Sequence, residues 1–189
     1  MRLRTGGFSL VEILLVMVII GVMITMITRV SVSTSHKDNW DTVLREFNVL
    51  ASIAKQESIA TGKTHRITVH GRKEQAAVVE QEESNPAKPS KVLFKQLKSP
   101  YFETSYALPK SISVEHFYIG HEEQFSNNKN IGSCYVVGNG LADRAMLHVA
   151  RKNPKTNIIE SRATFLMNQF AGIFEMHRGF AKPPNAKKK

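Results

Sequence analysis

Several groups of residues in this 189-residue chain have types and spacings that could do chemistry. Gly62-Lys63-Thr64 has the ending of a phosphate-binding loop, whose glycines let backbone N–H groups cradle phosphates while a lysine reaches them. That loop also needs a glycine five positions before Gly62, where Glu57 stands, and a preceding strand, where the pattern predicts a helix. Ser52-Ile53-Ala54-Lys55 has the serine–lysine spacing of penicillin-binding enzymes. The companion motifs of that class are missing, and both residues fall on the polar, solvated stripe of the expected helix. The seven histidines do not cluster as metal ligands. His65 and His70 lie five apart on one expected strand and so point to opposite faces, and a strand end separates His116 from His121. No nucleophile–base pair can be read from spacing, so neither an enzyme nor a cofactor nor a metal site is expected. The single cysteine, Cys134, excludes an intramolecular disulfide and is expected to be buried and inert.

One acid stands out from all of these. Glu12 sits inside the run Phe8-Ser9-Leu10-Val11-Glu12-Ile13-Leu14-Leu15-Val16-Met17-Val18-Ile19-Ile20, which continues apolar to Ile27 and is preceded by Arg2, Arg4, Gly6 and Gly7. As a helix, the run from Phe8 to Thr28 spans roughly 30 Å, the thickness of a bilayer core. The arginines ahead of it keep the short leader on the cytoplasmic side. A carboxylate within a membrane helix costs on the order of 3 kcal/mol at mid-bilayer and marks a functional pairing. Glu12 lies one turn inside, where the cost is smaller. A secretory signal peptide with Ser31-Val32-Ser33 at its cut would not carry an acid this early in its apolar region.

Gly6-Gly7-Phe8-Ser9-Leu10-Val11-Glu12 and the apolar residues after it resemble the prepilin signal of type IV pilins and of the pseudopilins of type II secretion. The resemblance implies a leader of residues 1–7 cut by a prepilin peptidase after Gly7, N-methylation of the new terminus at Phe8, and an assembly role for Glu12. Cleavage leaves a positive amine on Phe8, which the Glu12 of a neighbouring subunit can neutralise. In low dielectric that attraction is far stronger than in water. The partners implied are other pilin or pseudopilin subunits, the prepilin peptidase and an inner-membrane assembly platform. The implied location is the bacterial inner membrane, with a single pass and a periplasmic head that later enters a filament.

The elements that must position this signal follow in order. Residues 29–39 are mostly polar and mark the exit from the membrane. From Trp40 a helical period appears in Val43, Leu44, Phe47, Leu50, Ala51 and Ala54, with Asp41, Arg45, Asn48, Ser52 and Lys55 mostly on the other side. Asp41 and Arg45 stand at pairing distance along a helix, and Gly62 is placed as a C-terminal cap. No proline occurs before Pro86, so one helix of roughly 80 Å could cover residues 8–61, of which 8–28 span the membrane and 29–61 are amphipathic. Many pilin-like proteins carry a proline soon after the apolar run, and its absence here leaves a kink open.

After Gly62 short strands are expected at 64–70, 75–80, 92–97, 112–118, 133–137, 145–150, 163–170 and 173–177, with polar loops at 81–90 and 120–130. The reading is therefore α+β: a long N-terminal stem packed on a mainly antiparallel head of residues 62–180, with a basic tail at 181–189. The strand order, ending in a glycine-bearing pair, most resembles the H-type minor pseudopilins and their minor-pilin relatives.

Net charge is +10, and loss of Arg2 and Arg4 with the leader would take it to +8. Lys63, His65, Arg66, Arg72 and Lys73 crowd the first hairpin, and Lys182 and Lys187-Lys188-Lys189 lie in the tail. A solvated basic face accounts for them. The alternative is a minor type IV pilin whose head contacts nucleic acid, with Lys63, Arg66, Arg72 and Lys73 on phosphates in a salt-sensitive manner.

Overall fold

The computed structural model describes residues 10–20, 39–71, 75–84, 92–125, 130–153 and 155–182. Gly7 and Phe8, the apolar run beyond Ile20, the exit segment 29–38, Arg72 and Lys73, the loop around Pro86 and Pro89, and the tail beyond Lys182 lie outside the described residues. The questions of one unbroken stem and of its kink lie there too. The chain divides after Trp40 into two units. In the first, residues 10–20 form helix α1.

The second unit holds the core. Helix α2 (Asn39–Thr61) buries Val43, Phe47, Leu50, Ala51, Ile53, Ala54 and Ser58. These recur at three- and four-residue steps, so they line one stripe. The helix stops at Gly62, whose φ of +66° only glycine adopts without cost and whose N–H closes on Ser58 O at 2.9 Å. The expected Asp41–Arg45 pair does not form. The Arg45 guanidinium turns instead to the adjacent Glu46, 3.4 Å away.

Ten strands follow among the described residues: β1 (His65–His70), β2 (Ala76–Glu83), β3 (Leu93–Gln96), β4 (Ser105–Ala107), β5 (Ile112–Ile119), β6 (Glu122–Glu123), β7 (Ile131–Val136), β8 (Ala145–Lys152), β9 (Ile159–Asn168) and β10 (Ile173–Arg178). They make two antiparallel sheets. One has the order β3-β2-β1-β7, with β4 sharing the β2 edge with β3, and the other runs β10-β9-β8-β5-β6.

The expected loop at 81–90 begins later, because Glu82 and Glu83 stay in the ladder opposite Phe94 and Leu93. β9 starts ahead of Ala163, since Glu160 and Arg162 point outward from a strand whose inner side is apolar. β6 falls in the stretch 120–130 expected to be a loop, and β4 in a stretch for which no element is expected.

Cross-strand partners share a face, which locates the core. In the first sheet Ala77 is opposite both Val69 and Tyr106, and Val79 and Cys134 are opposite Ile67. In the second, Leu147 is opposite both Phe117 and Phe165. Phe47 of α2 lies where the two inner faces meet. Its ring stands edge-on to Tyr106 at 6.5 Å, Phe165 at 5.9 Å and Phe174 at 5.6 Å. The sheets also touch directly, with the Phe117 ring filling the space that a side chain on Gly132 would need.

Candidate functional site

Helix α1 carries the described part of the N-terminal motif. Apart from Glu12, every residue from 10 to 20 is apolar, so the helix has no polar face. All of them are exposed, from Leu10 at 80 % to Ile20 at 47 %. A helix apolar on all sides is stable only when lipid or other protein covers it. No helix among the described residues is long and apolar enough to cross a membrane, since α1 is described for one stretch of the longer run only. Glu12 is the one ionisable group on α1 and is exposed with the rest. The expected processing residues Gly7 and Phe8 lie outside the described residues.

The basic hairpin is not the free cationic face that its composition suggests. Arg66 Nε donates to Glu80 Oε2 at 2.6 Å, and the guanidinium lies 4.3 Å over the Phe94 ring. Burial alone would lower the Arg66 pKa, but its hydrogen bonds to Glu80 and Tyr135 outweigh this and raise it. Thr68 Oγ1 donates to the same Glu80 carboxylate and meets Ser133 Oγ at 3.0 Å. His65 is fully buried, so it belongs to the core rather than to a phosphate-binding surface. Burial pushes its imidazole below the ordinary histidine range, opposed by the Lys63 carbonyl at 3.2 Å from Nδ1, while Nε2 has no partner. Lys63 stays exposed, and Arg72 and Lys73 lie outside the described residues.

The polar stripe of α2 is only partly solvated. The Asn48 side chain donates through Nδ2 to Phe174 O at 3.1 Å and accepts through Oδ1 from Phe174 N at 2.6 Å. Lys55 Nζ donates to Phe170 O at 2.8 Å and Ala171 O at 2.9 Å, so it is committed to the β9–β10 turn and is not a base for Ser52. Sequence spacing places both residues on the polar side of the helix and hides these bonds, because their partners lie more than a hundred positions away.

Cys134 is buried, and burial pushes its thiol well above the ordinary range, as expected of an inert cysteine. Among the described residues no group of His, Cys, Asp and Glu is arranged to hold a metal ion. Sequence spacing missed one association of histidines. His116 and His148 are directly opposite on β5 and β8, with rings 5.8 Å apart.

Residues 2–28 match the family described as Prokaryotic N-terminal methylation motif. No curated protein sequence matches the chain. Among solved structures, a crystal structure of the minor pseudopilin EpsH from the type II secretion system of Vibrio cholerae is similar at a TM-score of 0.53 and 15 % identity. The match covers 78 % of this chain and 100 % of that one. A second structure of the same Vibrio cholerae protein gives 0.50 and 11 %, covering 75 % and 98 %. The chain thus joins a prokaryotic N-terminal methylation motif to a head with the pilin-like fold of a minor pseudopilin.

Proposed function

We propose that this chain is a minor pseudopilin, a structural subunit of a periplasmic filament of type II secretion. The observation that carries the reading is the union in one chain of the methylation motif at 2–28 and a head similar to a minor pseudopilin along all of that protein's solved length. On this reading prepilin peptidase removes residues 1–7 by cutting after Gly7, and Phe8 is then N-methylated. Residues 8–28 hold the chain in the inner membrane in a single pass, 29–61 link it to the head, and 62–180 stand in the periplasm ahead of the basic tail 181–189. The partners are other pseudopilin subunits, the peptidase and the inner-membrane assembly platform. The work is structural and not enzymatic.

The exposed apolar surface of α1 supports this reading. Lipid covers it before assembly and neighbouring stems cover it afterwards, each Å² removed from water contributing about 25 cal/mol. Stem-to-stem contact alone is non-directional, and Glu12 supplies the register by meeting the amine of the next Phe8. Removal of Arg66 from the free cations counts against phosphate contact through the first hairpin.

Mass spectrometry of the amino terminus, after co-expression with a prepilin peptidase, tests the reading. A mature chain beginning at N-methylated Phe8 is expected. A mature chain that begins elsewhere overturns it.

A further inference from the structure

The outer face of the β10-β9-β8-β5-β6 sheet carries a row of side chains in cross-strand register. His177 is opposite Thr164, Thr164 is opposite His148, and His148 is opposite His116. The last described residues fold back over this row. Gly179 N donates to Arg162 O at 2.9 Å. Thr164 Oγ1 donates to Gly179 O and accepts from Ala181 N, both at 2.8 Å. His148 Nε2 donates to Ala181 O at 2.9 Å. Phe180 stacks on the His148 ring with centroids 4.4 Å apart and planes within 8°, and the Arg162 guanidinium lies over the Phe180 ring, 5.2 Å from its centroid. The result is a strap, Gly179–Lys182, that leaves His148 only 6 % exposed.

We propose that this strap is an acid-released clasp, closed over His148 while that imidazole is neutral and opened when it takes a proton. From β5, His148 faces His116, Tyr118 (rings 5.3 Å apart) and Glu115. From β6 it faces Glu123, from β9 the neutral Thr164 with Arg162 on the same face, from β10 His177 along the row, and from the strap Phe180. Both acids are already engaged. Glu123 Oε1 is 2.6 Å from His116 Nδ1, and Glu115 Oε1 is 3.4 Å from Lys152 Nζ.

A proton on His148 therefore adds a buried positive charge beside a second imidazole, where the nearest carboxylates, Glu123 and Glu115, are already paired with His116 and Lys152. Opening the strap returns the ring to water and removes that cost. Burial is also the main cause holding His148 below the ordinary histidine range, with the Ala181 hydrogen bond and the charges of Glu123 and Glu115 opposing it and His116 adding to it. Since the closed state binds the proton less tightly, acid favours the open one. The inference stands apart from the filament reading, because it uses the head alone.

The test uses the full chain in detergent with Lys182→Cys carrying a nitroxide, Cys134 being buried and unreactive. The electron spin resonance spectrum should be immobile at pH 7.5 and become mobile as pH falls below about 6.5, the ordinary histidine value. The open-to-closed ratio should change by up to about tenfold for each unit by which closed and open titrations differ. His148→Gln keeps a side-chain donor for Ala181 O but cannot take a proton, so its label should stay immobile to pH 5. A label that stays immobile in the parent chain, or that loosens over the same pH range in His148→Gln, overturns the proposal. A second measurement does not need that variant to fold. In a chain ending at Arg178, the nuclear magnetic resonance titration of His148 should move up toward the ordinary value, and an unchanged titration overturns the clasp.

Discussion

Glu12 and Arg66 differ in how a charge reads from sequence alone. Glu12 stands within a contiguous signal, so residue types and spacing are enough to single it out. Glu12→Ala should leave cleavage after Gly7 intact while sharply reducing incorporation into filaments. Normal incorporation, measured by co-purification with sheared filaments, would remove the pairing role. Arg66 belongs to a charge cluster by composition, but its partner Glu80 is reached only once β1 pairs with β2. Arg66→Ala leaves the Glu80 carboxylate, itself mostly buried, with Thr68 as its remaining donor. It should cost about 2 kcal/mol, the range for hydrogen bonds to charged groups, in the urea unfolding of the head. His65 misleads in the same way. Two positions after a lysine and next to an arginine it reads as basic surface, yet it lies on the Ile67 and Val69 face of β1 and is fully buried.

At the scale of elements, α2 and the apolar strands were legible because burial imposes a period, 3.6 on a helix and two on a strand. The ends of β2 and β9 were not, since Glu82, Glu83 and Glu160 continue the ladder on exposed edges where nothing requires an apolar residue. The ties between elements were invisible for a different reason. Asn48 and Lys55 look like ordinary helix surface until β9 and β10 return to meet them. Asn48→Ala removes both hydrogen bonds to the Phe174 backbone and should destabilise the head by about 2–3 kcal/mol, at about 1 kcal/mol for each bond with a further penalty for the half-buried groups left bare. Faster amide exchange at Phe174 would report the same loss locally. Gly132 sets the closeness of the two sheets. A β-carbon there would stand 2.2 Å from Phe117 Cδ1 in a fully buried ring. Gly132→Ala should cost about 1–3 kcal/mol by overpacking, and an unchanged midpoint in thermal melting would mean that Phe117 has room to move.

For the molecule as a whole, acid should weaken the fold through two histidines at once. His65 and His148 are both held below the ordinary range, chiefly by burial. The unfolded chain therefore takes up protons first as pH drops below about 6.5, and stability present above that value is lost on the way down. The urea midpoint of the head should be lower at pH 5.5 than at pH 7.5 with an unchanged slope, and a higher midpoint at pH 5.5 would contradict it. The α+β class was readable from the order of patterns, but the partition of strands between two sheets depends on pairings that no local window contains. One of those pairings has a further consequence. The outermost strand β10 presents backbone donors and acceptors toward α2, and an unguarded rim of that kind is where a second molecule adds its own strand and amyloid begins. Asn48 answers Phe174 there with an amide that imitates a neighbouring peptide unit. On the filament reading proposed above, that side chain withholds the Phe174 position of a sticky border from the next head, and the greasy rod is the surface through which copies join.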